Sequence, residues 1–184
     1  MYTLLLLLIY LAFISLGLPD SLLGSAWPVM HKAFQVPLSY AGLATMIISG
    51  GTICSSLMSE RLTKKFGTQI VTVFSVMLTA IALFGFSTAS AFWMLCLWAV
   101  PYGLGAGAID ATLNNYVALH YNSRHMSWLH CFWGLGTIIS PYVMSYALTT
   151  SVWQNGYRMV SFIQIGIALI LFVTLPIWKV NKKE

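Results

Sequence analysis

Two aspartates, Asp20 and Asp110, stand deep inside apolar runs, and neither has a lysine or arginine within two helical turns in sequence. A carboxylate in such surroundings suits two tasks: it can take up and release a proton, and it can hold the hydroxyls of a polar solute. His130, Trp133, Trp27 and Asn114 lie in similar runs. They add an imidazole, two indoles and an amide, which hydrogen-bond a small polar molecule and cover its apolar face. The plainer reading of the aspartates is a hydrogen bond that only glues helices together, that of Trp27 an anchor at the membrane interface, and that of His130 a satisfied packing histidine. No nucleophile–base pair stands out, because His130-Cys131 alone does not make one. Cys54, Cys96 and Cys131 lack metal-ligand spacing and read as small buried hydrophobes. Neither catalytic nor metal-binding residues are expected, and no cofactor.

The composition says what positions these groups. Of 184 residues, 59% are hydrophobic and 7% charged, and the mean hydropathy is +0.82. A soluble domain carries about 25% charged residues, so this chain belongs in a lipid bilayer. The net charge of +5 then concerns orientation; nine scattered basic residues make no nucleic-acid stripe. At membrane depth an ionisable side chain costs at least about 2.5–3.5 kcal/mol, which sharpens the question the two aspartates raise.

A spanning helix needs about 20 apolar residues. Six runs qualify, at about 3–27, 38–59, 68–87, 92–119, 126–149 and 157–178, forming one six-helix domain over 1–184. The first run is read as a span and not a cleaved leader, since Met1-Tyr2-Thr3 has no basic residue. Basic residues set the orientation. Arg61, Lys64, Lys65, Arg124, Lys179, Lys182 and Lys183 fall on the side of both termini, against Lys32 and Arg158 on the other. Both termini are therefore expected in the cytoplasm.

At about 100° per residue, Ala99, Gly103, Gly107, Asp110 and Asn114 share one stripe. Phe13, Gly17, Asp20, Gly24 and Trp27 form another, and His130, Gly134, Thr137 and Pro141 a third, with Trp133 beside it. The small residues either admit a neighbouring backbone or leave room for a solute; the first stripe is expected to line an aqueous cavity. Gly17-Leu18-Pro19-Asp20-Ser21-Leu22-Leu23 and Gly107-Ala108-Ile109-Asp110-Ala111-Thr112-Leu113 share the pattern Gly-x-x-Asp-small-x-Leu. They open two successive three-helix blocks, the arrangement of a transporter built from inverted repeats.

These features together resemble the N-terminal half of a major facilitator superfamily transporter, closest to the fucose-permease-like sugar:proton symporters. The resemblance covers the whole chain. It rests on the six spans, the acids in spans one and four, Leu129-His130-x-Phe132-x-Gly134-x-Gly136 in span five, and the connector Glu60-Arg61-x-x-Lys64-Lys65. That connector looks like the superfamily's cytoplasmic signature, with Ser56 and Thr63 where glycines are usual and Glu60 in place of aspartate. The resemblance implies an all-α polytopic fold of two three-helix inverted repeats. It also implies proton coupling at Asp20 and Asp110, and a conformational gate at Glu60, Arg61, Lys64 and Lys65. Solute contacts are expected at Asp110, Asn114, Trp27, His130 and Trp133. The Gly-Pro motif of drug:proton antiporters is replaced by Gly134-Leu135-Gly136-Thr137-Ile138-Ile139-Ser140-Pro141, which points toward uptake.

The expected activity is proton-driven transport of a small polar solute, a sugar by the resemblance, across the plasma membrane by alternating access. The proton gradient is the energy source. Because the family has about twelve spans, a second six-helix half in the same reading frame, or a second copy of this chain, is expected as partner. A non-transporting membrane scaffold and an efflux transporter for another small molecule stand as alternatives.

Overall fold

The computed structural model describes residues 2–179, with the side chains of Tyr2 and Lys179 left aside. The described residues are helical nearly throughout. Helices α1 (Tyr2–Asp20) and α2 (Leu22–Ala33) form the first span, and are followed by α3 (Tyr40–Phe66), α4 (Thr68–Thr88), α5 (Phe92–His120), α6 (Ser123–Thr150) and α7 (Trp153–Val173). A short α8 (Leu175–Lys179) comes last. Six stretches among the described residues are long and apolar enough to cross a membrane, as expected from the runs of sequence. In a bilayer core, backbone groups must be satisfied internally, which only helices and closed barrels achieve. Lys182 and Lys183, counted with the cytoplasmic side, lie outside the described residues.

The helix ends differ from the sequence reading in three places. The Ser59–Gly67 stretch is not a loop: α3 runs on to Phe66, and Gly67 alone separates it from α4. Nothing between Ser59 and Phe66 breaks a helix, and Lys64 pairs with Glu60 one turn back at 2.6 Å. Gly67 then makes the turn at φ 88°, a left-handed conformation that favours glycine. Gln154-Asn155-Gly156 is likewise helical, inside α7. Gly156 serves packing there, where an added Cβ would press on the Met144 side chain. At the other end α7 stops at Val173, short of Pro176, and Trp178 belongs to α8, buried beside Tyr116.

The blocks interlock. The first helix of each packs on the second helix of the other, α1 on α6 and α5 on α3, while the third helices, α4 and α7, pack on each other. Both crossings are built on the repeated glycine. A Cβ added at Gly17 would strike the Trp133 carbonyl and Gly136 of α6. At Gly107 it would strike the Thr52 carbonyl and the Ser55 hydroxyl of α3. Small residues let two backbones meet in this way, and the equivalence of the two contacts is the repeat seen in three dimensions.

That geometry corrects the expectation for the first stripe. Ala99 is fully buried, and Gly103 lies against the Ile48 backbone. Gly103 and Gly107 form the α3–α5 seam and not a cavity wall. Periodicity identified the face; the neighbour on it is another helix.

Candidate functional site

Asp20 is the last residue of α1, immediately before the break at Ser21. Pro19 precedes it and cannot donate to the helix ladder, so the span is interrupted where the carboxylate stands. Two helices converge on that carboxylate. Tyr102 of α5 donates its hydroxyl to Oδ1 at 3.0 Å, and Trp133 of α6 donates its indole N–H to Oδ2 at 2.8 Å. Tyr102 is buried and Trp133 is partly open. A carboxylate holding two donors is firmly oriented, yet Asp20 itself remains exposed on the open face of the bundle.

Two cavities meet at this group. One, of about 330 Å³, brings together Asp20, Asp110, His130 and Trp133 over a floor that includes Thr52 and Ala106. The other, of about 390 Å³, runs past Gly24 to Phe86 and Tyr157. Asp20, Tyr102 and Ile48 wall both. The Asp20–Tyr102 hydrogen bond therefore stands at the partition between a more polar chamber and a more aromatic one. Among the described residues, neither aspartate is in ion-pair contact with a lysine or arginine, and the one such pair is Lys64–Glu60.

Asp110 is half-buried and accepts from Asn114 Nδ2 at 2.9 Å, while the same amide also donates to the Asp110 backbone carbonyl. The Asn114 Nδ2 thus orients Asp110, while its Oδ1 is buried without a partner, and Asn114, expected to contact the solute, lines neither cavity. His130 is exposed and stands edge-on to Phe13 at 6.3 Å between ring centres. Asp20, Asp110, His130 and Trp133 are brought together, four of the residues singled out by sequence.

Trp27 is not among them, which corrects the expectation that it meets the solute. It is 4% exposed, and its indole N–H donates to the Leu38 carbonyl at 2.7 Å. Phe92 packs edge-on against it. Its polar atom is spent tying α2 to the segment that leads into α3. Glu60, Arg61, Lys64 and Lys65 lie away from both cavities, exposed at the end of α3. Lys65 sits over the Phe66 ring at 5.2 Å, and Thr63 joins α3 to Thr112 of α5 at 3.3 Å.

Tyr102, Ile48 and Thr52 were not legible as site residues. Tyr102 left one signal: a tyrosine in mid-span, between Pro101 and Gly103, carries a polar handle that needs a partner when buried.

The geometry yields a labelling test. Gly134 and Gly24 have open space where a Cβ would stand, whereas Gly107 is blocked by α3. In a background without Cys54, Cys96 and Cys131, Gly134→Cys and Gly24→Cys should react readily with a small water-soluble thiol reagent. Gly107→Cys should stay inert. Fast reaction at 107 would mean that the α3–α5 seam opens to water.

The Major Facilitator Superfamily model matches residues 9–184. Over 163 residues the chain is 23% identical to Bypass of stop codon protein 6 of Saccharomyces cerevisiae, a match covering 87% of this chain and 33% of that protein. Over 152 residues it is 23% identical to the Glucose/mannose transporter GlcP of Bacillus subtilis, covering 80% of this chain and 37% of that protein. The chain spans about a third of the length of these curated relatives. With the family match extending from the middle of α1 through every later span, the chain belongs to the Major Facilitator Superfamily.

Proposed function

We propose that this chain forms the proton-coupling half of a transporter that takes up a small polar solute, a sugar, by alternating access. The observation that carries the reading is the Asp20 carboxylate, held by Tyr102 and Trp133 at the meeting of two cavities and without a basic partner in contact. As a carboxylate, Asp20 accepts both donors. Protonation turns one oxygen into a donor and weakens its hold on them. The Trp133 indole is then free to cover the apolar face of a sugar ring, and the Tyr102 hydroxyl to bond a sugar hydroxyl. Asp110, oriented by Asn114, and His130 offer further polar contacts in the same chamber. Proton uptake and solute binding are in this way linked at one group.

The relative named as a glucose/mannose transporter supports the sugar class. Both termini lie in the cytoplasm and the protein resides in the plasma membrane. The open face bearing Asp20, His130 and Trp133 is completed by a second six-helix half, in cis or from a second copy. Glu60, Arg61, Lys64 and Lys65 act as a gate at the cytoplasmic end of α3. No cofactor is required, since the proton gradient supplies the driving force.

Uptake of radiolabelled hexoses into proteoliposomes, with and without an inward proton gradient, tests the reading; no sugar moved under any gradient would overturn it. Orientation has its own test. A cysteine at Lys64 should be labelled from the cytoplasmic side alone and one at Lys32 from outside, because basic residues favour the cytoplasm. External labelling at position 64 would invert the topology.

A further inference from the structure

Pro19 has no N–H to offer the carbonyl of Ser15, four residues back in α1. In water such a carbonyl finds solvent. Inside a membrane bundle it must be met within the protein, by a neighbouring helix, a nearby hydroxyl, an ordered water or a local change of helix geometry. Here Gln164 of α7, 1% exposed, donates Nε2 to the Ser15 carbonyl at 2.5 Å. The residue after Pro19 is Asp20, and the helix breaks one residue later. A side chain on the last long helix thus meets the carbonyl left open just before the break at which the carboxylate of the first stands.

Packing alone does not account for a glutamine there. Its Oε1 is buried without a hydrogen-bond partner, and so is the Ser15 hydroxyl oxygen. A half-satisfied amide in an apolar interior is costly; of its neighbours along the same helix face, Val160, Ile167 and Ala168 are buried and apolar, and the buried Ser161 has its own partner in the Ala80 carbonyl. A leucine would fill the space without that cost, but would leave the Ser15 carbonyl unmet.

We propose that Gln164 is a positioning residue: its amide meets the carbonyl freed by Pro19 and so fixes the end of α1 that sets Asp20 between Tyr102 and Trp133. The inference rests on the transport reading for the importance of Asp20. The test reads the hydrogen bond at Asp20 directly, so either idea can fail while the other stands.

The probe is the Trp133 indole N–H cross-peak of the nitrogen-15-labelled protein in micelles, assigned with Trp133→Phe. Gln164→Met keeps the volume and removes the donor. It should move the cross-peak away from its strongly hydrogen-bonded position. Pro19→Ala restores an N–H to the Ser15 carbonyl and lets the helix run on past the break, and should also move it. The double variant should then match Pro19→Ala alone, because the new N–H makes the glutamine dispensable. Ser161→Ala, which removes a bond from the same helix to the Ala80 carbonyl, should leave the cross-peak in place. An unmoved cross-peak in Gln164→Met, additive shifts in the double variant, or an equal shift in Ser161→Ala would each overturn the proposal. Where Gln164→Met fails to fold, Pro19→Ala should rescue it, and failure of that rescue overturns the proposal as well.

Discussion

Asp20→Asn is expected to give a folded protein that still exchanges solute down a gradient but no longer accumulates it. The amide oxygen can accept from Tyr102 as Oδ1 does now. The amide nitrogen, facing the Trp133 indole donor in place of Oδ2, cannot accept at all, and the group no longer titrates. One charge moved per cycle is worth about 2.3 kcal/mol per 100 mV, and about 1.36 kcal/mol corresponds to a factor of ten. Accumulation at 100 mV should therefore fall from about fifty-fold to about unity. Voltage- and pH-driven uptake measures this in vesicles holding the complete transporter, with counterflow as the control for retained binding. Undiminished accumulation would move the coupling role from Asp20 to Asp110, which shares the same chamber.

The largest stability effects should come from two glycines. Gly17→Leu and Gly107→Leu drive side chains into the α1–α6 and α5–α3 crossings, where the obstructing atoms include backbone that cannot swing aside. Overpacking typically costs about 1–3 kcal/mol, and a backbone obstacle puts both variants at or beyond the upper end. Leucine's better helix propensity, worth up to about 1 kcal/mol, works the other way without cancelling it. Thermal unfolding in detergent should show both variants strongly destabilised. Gly24→Leu and Gly134→Leu, with open space at the Cβ position, should stay within about 0.5 kcal/mol of the parent. Because Gly17 and Gly107 hold equivalent places in the two blocks, similar losses are expected; an unaffected Gly107→Leu would mean that the α3–α5 contact is looser than its geometry.

What could be read from the sequence was what depends on the helix alone. Apolar run length placed six spans, and the scarcity of charge made Asp20 and Asp110 conspicuous. The partners on neighbouring helices were another matter. Tyr102 lies 82 residues from Asp20 in sequence and Gln164 lies 149 from Ser15, and no periodic pattern links residues so far apart. Glycines were ambiguous for the same reason: a stripe such as Gly103 and Gly107 is identical on paper whether water or α3 lies against it. The polar stretches at Glu60–Lys65 and Gln154–Gly156 looked like connectors, but polar residues at a helix end suit a membrane surface as well as a loop does. Trp27 shows the limit most simply. An aromatic at a span end suits a solute, an interface or a neighbouring carbonyl, and only the fold reveals that it meets Leu38.

The brevity of the joints has a mechanical consequence. One residue joins α3 to α4, three join α4 to α5, and two each join α5 to α6 and α6 to α7. A 27-residue helix such as α3 is about 40 Å long at 1.5 Å per residue, so tilting it by about 10° carries its end sideways by about 7 Å. A one-residue joint reaches only about 3.6 Å per residue fully extended. Torque applied to α3 must therefore pass into α4, and from there through the interlocked pairs into the rest of the bundle. The six-residue segment before α3 (34–39) is the one place among the described residues with slack, and the Trp27 indole bond to Leu38 takes much of it up. Tied together in this way, the six spans transmit force as one lever, and the compliance needed for any rocking motion has to lie along the face where Asp20 and Trp133 stand open.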